Sequence, residues 1–477
     1  MLLDIQDRRK LKLLHSLFTY EPHEEISLKE LAQAIHMDKR SIISRVEELF
    51  EDIVNSKSGH AEYSISGGQL TVYFSSDFDE CKVLAFYSQR SVLFILSLQL
   101  LKGEFTTIER FSEEHYINPL TLYRKLPILK KELAKMNISI NWKTSEKLIG
   151  EERQIRLFYY YLLIDIFNYL DFDCESLMMN NSVFLSTEKL WLFITYHRLK
   201  GNHFVKIKDE IDKISTFPVS YEQFTLKYAA SLHTFFEEFS LTKSILTIEL
   251  RVMYNFFGYY FLITSDYHTL SATALSRNAD DYLSLIEKNC VSWIDLFSEF
   301  FGLNLNNQQF SYLFFLILAK QTTEYYINKE DMHWFFRDIN IALLHRPVSM
   351  LKQKITAFLD FLTTRQWFEK DYDQTSKVWY GELLLSVLPQ LIPPLKVSIL
   401  SKHKPGHNFY IRNLIESIST VPIKITNNFF EDIQLVISDY HTDLDFSVKV
   451  IRIGVRPHIL ELNKIKKLLE ELYYQQL

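Results

Sequence analysis

Cysteine is nearly absent from this chain of 477 residues: Cys81, Cys174 and Cys290 are odd in number, far apart and outside any CxxC spacing. That excludes a disulfide framework and a cysteine zinc site, and it fits a reducing cytoplasm. Glycine and proline are scarce too, at 11 each. So little turn punctuation favours long helices and excludes collagen-like or low-complexity chains. Excess positive charge is lacking. A formal net charge of −6 has the wrong sign for a protein that coats nucleic acid through bulk charge, so any such contact must be local. No run approaches the ~20 apolar residues of a spanning helix; the greasiest, Phe310–Ala319 and Phe256–Ile263, read as buried core helices. The opening MLLDIQDRRKLKLL sets acids beside bases and has no apolar h-region, so it is not a secretory signal. What is abundant is core-forming material: 47% of residues are hydrophobic and 15% aromatic. At ~100–200 residues per domain, the length predicts roughly three to five domains.

The first stretch reads as helix, helix, turn, helix. Leu11, Leu14, Leu17 and Phe18 recur at helical spacing between Asp4 and Phe18, and Ser27 with Glu30 gives the Ser-x-x-Glu start of a short helix carrying Leu31 and Ile35. After a tight connection at His36–Asp38, a third helix buries Ile42, Val46, Leu49, Phe50 and Ile53. AEYSISGGQLTVYF then alternates around Gly67-Gly68, the signature of a hairpin and hence of a β-wing. The order repeats: an apolar helix at Leu93–Leu101, a short one at Thr106–His115, a turn at Tyr116–Pro119, and a helix lined by Leu122, Leu126, Leu129 and Leu133. Five basic residues, Arg124, Lys125, Lys130, Lys131 and Lys135, face only Glu132 on that helix. Pro127 is expected to bend it, and ISINW with a turn at Lys143–Lys147 would form a second wing.

From Gly150 to about Pro394 the pattern is almost wholly helical, in two blocks of about five segments each. Pro389, Pro393 and Pro394 then mark a boundary. Beyond it, four β-rich runs (LKVSIL, IKIT, IQLVIS, VKVIRI) alternate with helical runs at Asn408–Ile418 and Pro457–Tyr474. This predicts a small α/β domain with a partly parallel sheet.

A helix-turn-helix presents the start of its last helix to the major groove, where Arg, Lys, Ser, Thr and Asn reach phosphates and base edges. The candidates are Lys39, Arg40, Ser41, Ser44 and Arg45 in the first unit and Asn118, Thr121, Arg124 and Lys125 in the second. The plainer alternative is a pair of solvated faces on ordinary helical hairpins. Histidines are the other reactive groups. His197, His203 and His268 are weak candidates for phosphorylation, and none has a metal-ligand spacing. SKHKPGHN lies where a phosphate-binding turn would sit, but one glycine without a Gly-Lys-Thr/Ser motif reads as an ordinary strand-to-helix loop. No nucleophile motif, metal site or cofactor site is present, so the chain reads as a non-enzyme.

The segment Leu148-Ile-Gly-Glu-Glu-Arg-Gln-Ile-Arg156, running from the second wing into an apolar helix, resembles the junction between DNA-binding and regulatory parts in the Mga/AtxA-type transcription regulators of Gram-positive bacteria. The order of parts is similar along the entire chain. The resemblance implies a mainly α, multidomain protein: winged helix-turn-helix units at 1–76 and 77–150, helical domains like the phosphotransferase-system regulation domains (PRDs) at 151–276 and 277–393, and an enzyme IIB-like α/β domain at 394–477. It further implies a cytoplasmic virulence or metabolic regulator without cofactor that binds double-stranded promoter DNA, forms homodimers through the PRD-like and C-terminal domains, and meets phosphotransferase phosphocarrier proteins. Two family features are missing. The apolar helices Ser186–Tyr196 and Glu382–Leu388 hold no histidine, and Ser401-Lys-His-Lys404 stands where an active enzyme IIB carries cysteine. An adaptor of phosphotransferase signalling without DNA binding is the alternative, and an RNA-binding antiterminator a third reading.

Overall fold

The computed structural model describes residues 2–18, 20, 22–35, 39–170, 184–206, 213–214, 216–264, 267–326, 349–365, 374–401, 405–426, 433–440, 448–454 and 456–476. The protein is mainly helical. It divides into two compact units: residues 1–212, 219–258 and 325–335 form the first, and residues 213–218, 259–324 and 336–477 the second.

The first unit opens with α1 (Ile5–Leu17), β1 (Ile26–Ser27), α2 (Leu28–Ala34), α3 (Lys39–Asn55), β2 (Ala61–Ser66) and β3 (Gln69–Phe74). Leu11, Leu14, Leu31, Ile42, Val46 and Leu49 are buried, so the apolar stripes of the three helices share one core. The Ser27 hydroxyl accepts from the Glu30 backbone N–H at 3.4 Å, capping α2 as its sequence predicts. The wing forms an antiparallel sheet in the order β1-β3-β2, with Ile26 opposite Leu70 and Ser66 opposite Gln69. Gly67 and Gly68 both have positive φ, 61° and 86°, which matches the backbone twist a two-residue hairpin turn requires.

A second head follows: α4 (Glu80–Arg90), α5 (Val92–Lys102), α6 (Ile108–Glu114), α7 (Pro119–Ala134) and a two-stranded wing, β4 (Ser139–Ile140) with β5 (Leu148–Ile149). Helix α4 is an addition to the sequence reading. It meets α5 at 80° around Ser91 and buries Val83, Leu84, Ala85 and Tyr87. Helix α7 continues through Pro127 to Ala134; the proline is exposed, so its ring projects away from the core. Helices α8 (Glu152–Leu163), α9 (Ser186–Lys200), α10 (Tyr221–Glu237) and α11 (Lys243–Thr264) come next. In their core the Trp191 and Phe256 rings stack at 3.7 Å, with Tyr160 edge-on to Phe256 at 4.7 Å.

In the second unit, α12 (Tyr267–Ser271), α13 (Leu285–Phe301), α14 (Asn307–Tyr326), α15 (Ser349–Thr364) and α16 (Gln374–Leu391) precede the strands. Trp293 anchors that helical core between Phe297, Phe358 and Tyr380. Then come β6 (Leu395–Leu400), α17 (Pro405–Ile418), β7 (Ile423–Ile425), β8 (Leu435–Ser438), β9 (Lys449–Arg452) and α18 (Ile459–Gln475). The sheet order is β7-β6-β8-β9 and every described pairing in it is parallel, where the sequence suggested a partly parallel sheet. The Tyr473 hydroxyl of α18 donates to the Pro389 carbonyl of α16 at 2.7 Å, tying the α/β layer to the helices before it. Among the described residues no single helix is long and apolar enough to cross a membrane.

A Cβ added at Gly67 meets no atom within 4 Å. Gly67→Ala should therefore lose only what left-handed backbone costs an L-residue, about 1 kcal/mol. Urea unfolding followed by circular dichroism should show a lower midpoint with an unchanged native spectrum.

Candidate DNA-binding surface

In the second head, Asn118 occupies the cap of α7 and its side-chain oxygen accepts from the Leu120 backbone N–H at 2.9 Å, while Pro119 fills the first helical position, where no amide partner is lost. The sequence thus fixes where α7 starts. Leu122, Leu126, Leu129 and Leu133 face the core, leaving Thr121, Arg124, Lys130 and Lys131 on the exposed side. Arg124, Lys130 and Lys131 have no ion-pair partner among the described residues. Lys125, placed beside Arg124 by the sequence, instead pairs with Asp4 ahead of α1 and is only partly exposed.

The first head differs. The side chains of Lys39 and Arg40 lie outside the described residues, as do residues 36–38 of the predicted turn. Ser41 is half-buried, and Ser44 is exposed, with its hydroxyl donating to Glu48 at 3.3 Å. The Arg45 guanidinium reaches Glu48 and Gln6 together, so its charge is met within α3. Among the candidates whose side chains are described, Arg124 combines exposure with an unpaired charge.

Between the two heads sits a cluster that sequence reasoning did not find. Asp7 and Lys10 of α1, Asp52 of α3 and Arg90 of α4 form a net-neutral quartet. Arg90 contacts Asp7 at 2.6 Å and Asp52 at 3.2 Å, and its guanidinium lies over the Phe86 and Tyr87 rings at 4.6 and 4.7 Å. Burial would raise the Asp52 pKa, but hydrogen bonds from Lys10 and Arg90 outweigh it and hold the carboxyl below its ordinary 3.8. The partners are 38 and 83 residues from Arg90 in sequence, so no local spacing announces them.

Arg90→Ala should cost about 2 kcal/mol, less than for a wholly buried pair because Arg90 stays partly exposed. A depressed carboxyl stabilises fully above the unfolded value and is lost as pH falls through the folded one. The gap between wild type and R90A in urea midpoint should therefore be constant near neutrality and shrink below about pH 4.

The junction segment has a structural meaning of its own. Gly150 leaves room against the Asn137 carbonyl and Ile138, where a Cβ would come within 3.3 Å. Glu152 and Arg156 project from α8 into a second neutral quartet with Arg198 of α9 and Glu249 of α11: Arg156 meets Glu249 at 2.5 and 3.0 Å, and Arg198 meets Glu152 at 2.7 Å. Arg156 is fully buried, and its remaining reach goes to the His203 carbonyl. Burial opposes the charge of Glu152, yet Arg198 and Arg156 hold its pKa below 4.5.

Beside that quartet, His197 and His203 line one cleft together with Gln99, Phe105, Glu146 and Lys147, between α5, the β4–β5 turn and the end of α9. His203 lies 3.2 Å from Glu146, and its pKa is lowered by burial and Arg198. His197 packs against Phe193, its Nδ1 has no hydrogen-bond partner, and burial with Lys102 and Lys200 pushes its pKa down to about 4. His268 belongs to α12 in the second compact unit, with its ring 5.8 Å from Tyr267. Among the described residues no group of His, Cys, Asp and Glu could hold a metal ion. At the end of β6, Ser401 donates to Asp439 at 2.5 Å; Lys402–Lys404 lie outside the described residues.

Because the folded chain resists protonating His197 while the unfolded chain accepts the proton near 6.5, stability should fall as pH drops from about 6.5 towards 4. His197→Leu should flatten that part of the urea midpoint against pH curve; equal slopes in both proteins would contradict the burial.

A search of curated proteins finds no match to the chain. Residues 77–163, from just ahead of α4 to the end of α8, match a family model described as the Mga helix-turn-helix domain. The second head and the junction helix that leaves it are thus similar to the Mga helix-turn-helix domain.

Proposed function

We propose that this protein is a DNA-binding transcription regulator of the Mga/AtxA type, gripping promoter duplex chiefly through α7 and secondarily through α3. The observation that carries the reading is the exposed, cationic side of α7 inside the matched domain: Arg124, Lys130 and Lys131 stand unpaired there among the described residues, with Thr121 at the helix start. A recognition helix docks by that end, its cations on phosphates and its first turn on base edges. Lys39, Arg40, Ser41 and Ser44 are the corresponding contacts of the first head, with Arg45 and Asn118 in supporting positions.

Winged heads at 1–76 and 77–150 then hand over to PRD-like bundles at 151–276 and 277–393 and an enzyme IIB-like domain at 394–477. Helices α8, α9, α10 and most of α11, which share one compact unit, support the first bundle, and the parallel β7-β6-β8-β9 sheet with α17 supports the last domain. These parts would hold a homodimer, because a twofold pair places two heads on half-sites roughly one helical turn apart. Phosphotransferase carriers are the partners this layout suits, and the chain acts by binding rather than catalysis, in the cytoplasm where the promoter lies.

Arg124→Ala should weaken binding to a promoter fragment and reduce the slope of log affinity against log salt by about one unit. Lys125→Ala should change it less, since Asp4 already holds that ammonium. Fluorescence anisotropy across a salt series measures both. Equal slopes for wild type and R124A would remove α7 from the interface.

A further inference from the structure

We infer that Leu120 reads thymine, its side chain packing against the C5-methyl group of a thymine in the major groove beside Arg124. This rests on the DNA-binding reading above and adds to it a base and an atom.

Helix α7 contains five leucines: Leu120 and the four of its core stripe. Leu120, in the first turn, is 65% exposed. Leu120, Arg124 and Lys131 follow one line down the helix, at i, i+4 and i+11, opposite the buried Leu122, Leu126, Leu129 and Leu133. An aliphatic side chain at the head of a cationic line gains nothing from water. Near it in sequence, Tyr116 in the turn before α7 is 98% exposed at a φ of 53°, and Tyr123 is half-exposed. The cations select the occupant: a protein surface covering Leu120 would have to desolvate Arg124, whereas a duplex meets Arg124 with phosphate or guanine and Leu120 with an apolar group. On the major-groove edge of DNA the thymine methyl is that apolar group, and leucine has no donor or acceptor with which to read anything else.

The test uses the full-length protein and the duplex it selects from a random-sequence pool, synthesised once with thymidine and once with deoxyuridine, which lacks only the methyl. Wild type should bind the thymidine duplex tighter, by about fourfold per methyl contacted. Leu120→Ala, at an exposed position that the fold does not need, should bind both duplexes alike. Equal wild-type affinity for the two duplexes overturns the inference while leaving DNA binding intact, and so does L120A that still discriminates between them. If L120A instead changes sedimentation of the free protein with discrimination preserved, Leu120 belongs to a protein contact and the inference fails. Selection of no duplex at all by the wild-type chain would overturn the DNA-binding reading itself.

Discussion

The arrangement of the amino-terminal half depends on charge being neutralised out of water. Two quartets, each of two carboxylates and two bases, flank the second head: Asp7, Lys10, Asp52 and Arg90 join it to the first, and Glu152, Arg156, Arg198 and Glu249 join it to the helices that follow. Such clusters contribute little net stability compared with apolar packing, but each member left alone is costly, so the partners hold one geometry. Apolar surfaces slide; a guanidinium bridging two carboxylates does not. On the proposed DNA-binding reading, the angle between the two heads would decide which spacing of grooves both can enter, and that angle is where non-directional packing would be least adequate.

Much of this was legible in the sequence where the signal is local. Gly67-Gly68 announced its hairpin because both residues need positive φ, and Ser27 announced α2 because its hydroxyl has an amide to cap. The C-terminal strands were visible as β-branched runs, although parallel pairing of β6 with β7 and β8 follows from the crossovers rather than from any one run. Helix α4 was not legible: its buried residues, Val83, Leu84, Ala85, Tyr87 and Ser88, lie too close together to make a clean stripe, since several elements cover it at once. Strand β1 is two residues long, below what alternation can register.

The candidate site divides along the same line. That α7 would present cations was readable from helical spacing. Which cations remain free was not, because Asp4 takes Lys125 across 121 residues and Glu48 with Gln6 takes Arg45. The junction motif was recognised by resemblance, yet its physical content is the pair Glu152 and Arg156, whose partners Arg198 and Glu249 lie 46 and 93 residues away.

These pairings also reconcile a negative net charge with the proposed role on DNA. Lys10, Arg45, Arg90, Arg110 and Lys125 are all engaged by carboxylates within the heads, so they add to cohesion and not to the outward field. What faces solvent along α7 is a small set of three bases rather than a basic surface. So small a set would bind duplex of arbitrary sequence poorly, since nonspecific affinity grows with the number of phosphates neutralised. On the proposed reading, discrimination among sites would then fall to contacts with base edges at the start of the helix, which is the part that the Asn118 cap and Pro119 hold in place.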